Sequence, residues 1–202
     1  MSITNYSELQ TSVANYLNRS DLSSIIPDLI TLAEAQLSAD VVARDMETRT
    51  TLTTTASNAY VTLPTDMLEM MRLAITSSDP QQVLRYVSAD ELLADYPTGT
   101  VGKPAVFTVI GSQIQLAPIP DSAYTLELTY QQRIPALSNT NTTNWLLTQW
   151  PNAYLYGSLC AAQPFLMNDE RLPVFQTLYK QAVDGINGIN WYSGSTMRVK
   201  AK

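Results

Sequence analysis

General acid–base chemistry near neutral pH most often uses histidine, and this sequence of 202 residues contains none. Few other reactive groups remain. Cys160, the one cysteine, falls on an apolar helical pattern running from Ala153 through Tyr154, Leu155, Tyr156 and Leu159 to Ala162. No imidazole stands beside it to take its proton, so it reads as a packing thiol and not as a nucleophile. Adjacent carboxylates occur at Asp90-Glu91 and Asp169-Glu170. Both pairs stand where helices are predicted to begin, and capping and the positive end of the helix dipole account for them without catalysis. Zinc would require a cysteine or histidine cluster and calcium a spaced set of carboxylates, and neither pattern is in the sequence. Gly99 and Gly102 belong to a proline-bounded turn that lacks the Lys-Ser/Thr and helix of a phosphate loop. No catalytic, cofactor-binding or metal-binding residue is assigned on these grounds.

Contact chemistry is better represented. Tyr154 and Tyr156 point to different faces of one helix, so at most one belongs to a core, and the other either packs flat on its own bundle, the commoner case, or is available to a partner. Trp191 and Tyr192 lie past the last helical period, in a tail that also carries Arg198, Lys200 and Lys202. Rigid aromatics beside cations on an arm that orders on binding suit an interface, which makes these five the candidate partner-binding residues.

Composition bounds the partners. Twelve Lys+Arg against 18 Asp+Glu give a net charge of −6, which disfavours adhesive binding to a phosphate backbone. The balance is uneven, because no acid follows Asp184 and the last three basic residues do. A chain of this length can bury a full core without staples. With 45% hydrophobic residues it reads as globular, and it holds no apolar run near the roughly 20 residues of a membrane span. The polar start, Met1-Ser2-Ile3-Thr4-Asn5, does not resemble an export signal, and a lone cysteine suits a reducing cytoplasm.

The elements that would position these groups follow from periodicity. Asn5 with Glu8 three residues on predicts a capped helix carrying Tyr6, Leu9, Val13, Tyr16 and Leu17. Pro27 then opens a second helix with Leu29, Ile30, Ala33, Leu37 and Val41, the two forming a hairpin-like pair. From Arg49 the period becomes two. Thr50, Leu52 and Thr54 and then Tyr60, Val61 and Leu63 flank Ser57-Asn58, which predicts two paired antiparallel strands. Met67–Ile75 and Val83–Val87 are further strand candidates, although Met67-Leu68-Glu69-Met70-Met71 could equally begin a helix. Ser88 with Glu91 caps a short helix that ends before Tyr96-Pro97. Phe107/Val109 and Ile114/Leu116 alternate around Gly111-Ser112 as a tight hairpin. Pro118 and Pro120 should stop strand pairing before Tyr124 opens the next strand. After the polar loop 138–144 come helices starting at Trp150-Pro151 and near Asp169-Glu170, the first kinked or ended by Pro164 and the second loosened by Gly185 and Gly188. The predicted class is α+β, with N- and C-terminal helices forming a bundle around an inserted antiparallel β-domain. The predicted division is 1–47, 48–137, 138–188 and an extended arm, 189–202.

In this order the elements resemble the short-tailed bacteriophage head-to-tail adaptors, the tail tubular protein A-like or gatekeeper family. The residues carrying the likeness include Ala33-Glu34 and Leu37 before Arg44-Asp45-Met46-Glu47, and Tyr60-Val61-Thr62-Leu63-Pro64-Thr65-Asp66. They continue with Gly102-Lys103-Pro104, Ile134-Pro135-Ala136-Leu137-Ser138, Asn144-Trp145-Leu146-Leu147 and Tyr154-Leu155-Tyr156-Gly157 before Asp169-Glu170-Arg171. Pro164 departs from the family's uninterrupted helical stretch. The resemblance implies a non-enzymatic ring of twelve copies without cofactor, docked under the portal protein and offering its other face to the tail nozzle or tail tube. Double-stranded DNA would pass through the lumen without specific binding, and the protein would reside in the virion after assembly in the host cytoplasm. Two other readings are a monomeric β-rich module for a host or virion partner and a carboxylate-dependent hydrolase. The first would bind its target as a single chain, and the second needs two carboxylates converging in a cleft.

Overall fold

A computed structural model describes residues 3–19, 21–78, 80–97, 99–166 and 170–189. The predicted arm, with Trp191, Tyr192, Arg198, Lys200 and Lys202, lies outside the described residues. Helices and both antiparallel and mixed sheets make the fold α+β. The chain divides into two compact units, one formed by the residues up to Met46 together with those from Ile134 onward, the other by Glu47–Arg133.

The first unit is helical. Asn5 caps α1 (Tyr6–Leu17) by accepting from the Glu8 amide at 3.0 Å. The Glu8 carboxylate reaches the Thr4 amide and hydroxyl, both at 2.8 Å, and not the Asn5 amide that a reciprocal capping box would use. Pro27, which has no N–H to lose, sits in the first turn of α2 (Ile26–Asp40) as expected. Two helices then lie end to end, α4 (Trp145–Gln149), capped by Asn144, and α5 (Pro151–Ala161). Sequence periodicity did not resolve α4, whose five residues are too few to show a period. Pro164 ends α5 as expected and sits in a single tight turn, Gln163–Phe165. Next comes α6 (Leu172–Ile189).

The expected pairing of α1 with α2 is secondary, since both pack chiefly on α5. That helix carries buried Ala153, Tyr154, Leu155, Gly157, Ser158 and Leu159, apolar on nearly every side because neighbours surround it. Gly157 makes the approach possible, because a Cβ there would stand 3.3 Å from Ala33 Cβ on α2 and 3.3 Å from Tyr179 Cε2 on α6. One expectation for α6 fails. The helix begins two residues after Glu170, with Pro173 in its first turn, and Asp169 is outside the described residues. Gly185 and Gly188 do not loosen it, for the helix runs through both. Asn187 holds this end by accepting from the Val42 amide and donating to the Asp40 carbonyl, each at 2.9 Å.

The second unit holds two four-stranded sheets and a two-stranded one. Its strands are β1 (Glu47–Thr53), β2 (Tyr60–Thr62), β3 (Met67–Ile75), β4 (Gln82–Val83), β5 (Arg85–Tyr86), β6 (Val101–Gly102), β7 (Val106–Ile110), β8 (Gln113–Ala117), β9 (Ile119–Pro120) and β10 (Thr125–Gln132), with α3 (Ala89–Asp95) between β5 and β6. One sheet has the order β1-β10-β3-β4, the other β2-β8-β7-β5. Val61, Leu73, Ile75, Phe107, Ile114, Leu116, Leu126 and Leu128 form one buried cluster drawn from both. The β7–β8 hairpin turns at Gly111-Ser112, where Gly111 takes φ 59°, and registers Phe107 on Leu116 and Val109 on Ile114. The predicted hairpin across Ser57-Asn58 does not form. β1 pairs with β10 and β2 with β8, because the chain changes sheets at this turn, with the Ser57 amide held by the Pro120 carbonyl at 2.8 Å. Pairing also continues past Pro118, contrary to expectation, since β6 and β9 align in parallel. Ile119 supplies the donor, to the Thr100 carbonyl at 2.9 Å, while Pro120 needs only its acceptor.

Candidate interaction surface

The stretch Met67-Leu68-Glu69-Met70-Met71-Arg72, which could be read as strand or helix, is strand, and its register is irregular. Along β10, Thr129 faces Arg72 while Tyr130 faces Met70; Gln131 faces Glu69 while Gln132 faces Met67. Met71 and Leu68 are thus the extra residues of two successive β-bulges. Bulges re-aim side chains and interrupt an edge ladder. Met67 and Met70 pack against the buried cluster, whereas Leu68 and Met71 remain 39% and 54% exposed. β4 pairs only with Ala74 and Ile75, so the bulged half of β3 forms an edge of its sheet.

A row of charges crosses the same sheet. Glu127 on β10 takes Arg72 Nη2 at 2.8 Å on one side and Arg49 Nη1 at 3.7 Å on the other. All three are at least partly solvated, so the row contributes little stability.

The buried and titratable groups serve the fold. In the helical unit Glu34 accepts from the Leu137 amide at 2.7 Å and from the Tyr154 hydroxyl at 3.2 Å. Asn144 donates to that hydroxyl at 2.6 Å and to the Pro135 carbonyl at 2.8 Å, while its Oδ1 accepts from the Leu147 amide at 2.8 Å. Burial raises the Glu34 carboxyl above its ordinary range, against those two hydrogen bonds, and burial together with the nearby Glu34 charge raises the Tyr154 phenol. The network pins residues 135–147 to α2 and α5. Burial first, then the Asp66 charge, raises Tyr130, whose hydroxyl lies 3.2 Å from Asp66 Oδ1. Tyr179 donates to Asp40 Oδ2 at 2.8 Å, and burial is the main cause of its raised phenol.

The other residues singled out by sequence resolve as follows. Tyr154 is fully buried, and Tyr156 packs part-buried on the same core. Cys160 is half-buried against that core, and burial pushes its thiol up. Glu91 donates its amide to Ser88 Oγ at 3.2 Å and places its carboxylate 3.5 Å from Arg85 Nη2, a capping and surface-pair arrangement. Among the described residues no group of three or more acidic or cysteine side chains is placed to hold a metal ion, and no helix is long and apolar enough to cross a membrane.

The sequence periods did not single out Leu68 and Met71. The available signal was a methionine-rich run that strand and helix readings fitted equally. No curated protein matches the chain. The model of the SU10 adaptor protein family matches residues 4–200, which takes in both units. By that match the chain belongs to the SU10 adaptor protein family.

Proposed function

We propose that this protein is a non-enzymatic head-to-tail adaptor of a short-tailed phage. Its copies close a ring, of twelve by the family resemblance, beneath the portal protein and present the other face to the tail nozzle. Residues 1–47 and 138–188 build the ring as a bundle, and the inserted β-domain, 48–137, meets a neighbouring copy or the tail. The observation that carries this reading is the family match over residues 4–200. The exposed bulge residues Leu68 and Met71 support it as contact surface.

Residues 189–202 act as a docking arm on the portal, with Trp191 and Tyr192 as apolar anchors and Arg198, Lys200 and Lys202 as cations. Cyclic head-to-tail contacts close only at the right rotation, so the portal templates the ring and the free chain stays monomeric. The acidic body, net −6 overall, lines a lumen that repels the DNA backbone and lets it slide. Co-sedimentation with a purified portal ring tests the docking step, and a chain that stays near the top of the gradient while the portal ring sediments contradicts it. DNA retention on assembled rings tests the lumen. Free passage at physiological salt is expected, and tight retention contradicts the sliding channel.

A further inference from the structure

Of the two bulges in β3, its own side chains demand only one. Leu126, Leu128 and Tyr130 of β10 are buried, so the β3 residues opposite them lie on the core side. If the register of Leu73 on Leu128 continued unbroken, Met71 would face Tyr130 and Glu69 would face Gln132 on that same side. Burying a carboxylate is costly. The bulge at Met71 avoids it by carrying Met70 to Tyr130 and Glu69 to Gln131 on the opposite face.

The second bulge, at Leu68, has no such cause. Without it Leu68 would face Gln132 and Met67 would face Arg133, while Glu69 kept its place. That exchanges one apolar side chain on the core side for another of similar volume, a change that cores tolerate well. β4 pairs only with Ala74 and Ile75, so no strand among the described residues fixes the other side of residues 67–72. Asp66 holds the register instead. Its carbonyl accepts from the Arg133 amide at 2.7 Å, continuing the ladder in which Met67 faces Gln132. Its carboxylate oxygens lie 3.2 and 3.3 Å from the Tyr130 hydroxyl, on the strand against which β3 would slide.

We infer that the start of β3 is a two-register switch latched by Asp66. In the latched register Leu68 is exposed and Met67 packs on the buried cluster. Released, the residues before Glu69 slip by one position, which reverses their faces. Leu68 then turns to the core side and Met67 outward, opposite Arg133. On the adaptor reading, the latch sets which apolar side chain the bulged edge offers to a partner.

The register belongs to the free full-length protein, so failure of portal docking leaves its test unaffected. Cross-strand NOEs in the isotope-labelled chain should place Met67 opposite Gln132. Tyr130→Phe keeps the ring and removes the latching hydroxyl. It should raise the population with Leu68 opposite Gln132 at least about tenfold over the parent. Adding Leu68→Glu should suppress that population, since the slipped register would bury the introduced carboxylate. Met67→Glu alone should drive the chain into it for the converse reason, and it decides the matter where Tyr130→Phe impairs folding. Met67 or its replacement remaining opposite Gln132 in both Tyr130→Phe and Met67→Glu would overturn the assignment. So would residues 66–68 leaving β10 without Leu68 taking the place opposite Gln132.

Discussion

The Tyr154 hydroxyl donates to Glu34 Oε1 at 3.2 Å, linking α5 to α2 inside the helical core. Because the same carboxylate oxygen accepts the Leu137 amide at 2.7 Å, one buried acid holds two helices and the segment that follows the β-unit.

This acid should make stability pH-dependent in a defined direction. Its native carboxyl is raised by burial, so the folded protein keeps the proton at pH values where the unfolded chain has released it. That contribution is fully present below the ordinary carboxylate range and declines as pH rises through the raised native value. Glu34→Gln retains an acceptor for both donors and should flatten this decline, matching or exceeding the parent stability at pH 8. Glu34→Ala orphans the donors and should cost about 1–3 kcal/mol. Urea unfolding at pH 5 and pH 8 distinguishes them, and a parent stability that rises across this window through Glu34 contradicts the assignment.

Two helical glycines should answer differently to substitution. At Gly157 a Cβ meets Ala33 and Tyr179 at 3.3 Å, whereas at Gly185 it meets Trp150 Cζ3 at 3.7 Å, an ordinary contact. Gly157→Leu should therefore lower stability by about 1–3 kcal/mol or more through overpacking. Gly185→Ala should be neutral or gain up to about 1 kcal/mol from helix propensity. Thermal unfolding of both variants measures the contrast.

Leu68 and Met71 are expected to matter to assembly and not to folding. Leu68→Ser with Met71→Ser should alter stability by less than about 0.5 kcal/mol, as exposed positions do. The same pair should weaken ring formation on the portal at least tenfold, read by sedimentation. Unchanged assembly would show that the bulges serve no contact.

Deletion after Ile189 should abolish portal docking while leaving the unfolding transition of the body in place. A truncated chain that docks as well as the full one contradicts the role given to Trp191, Tyr192, Arg198, Lys200 and Lys202.

Local chemistry made much of the fold legible in the sequence. Asn5, Ser88, Pro27 and Pro164 act on their immediate neighbours, and each marks the helix start or end expected of it. Gly111-Ser112 likewise reports its own hairpin. Pairing beyond nearest neighbours was not legible. The strands flanking Ser57 both alternate, but alternation carries no address, and β10 and β8 claim them instead of each other. Pro120 was misleading because a missing donor says nothing about its carbonyl. The contact surface was hidden for a related reason, since a bulge breaks the period through which a strand is recognised.

Electron microscopy of the full-length protein mixed with its portal ring measures the proposed function most directly. A second ring of this protein stacked coaxially beneath the portal, open at its centre, is expected. Portal rings that remain bare at saturating protein, with the chain persisting as single copies, would contradict it.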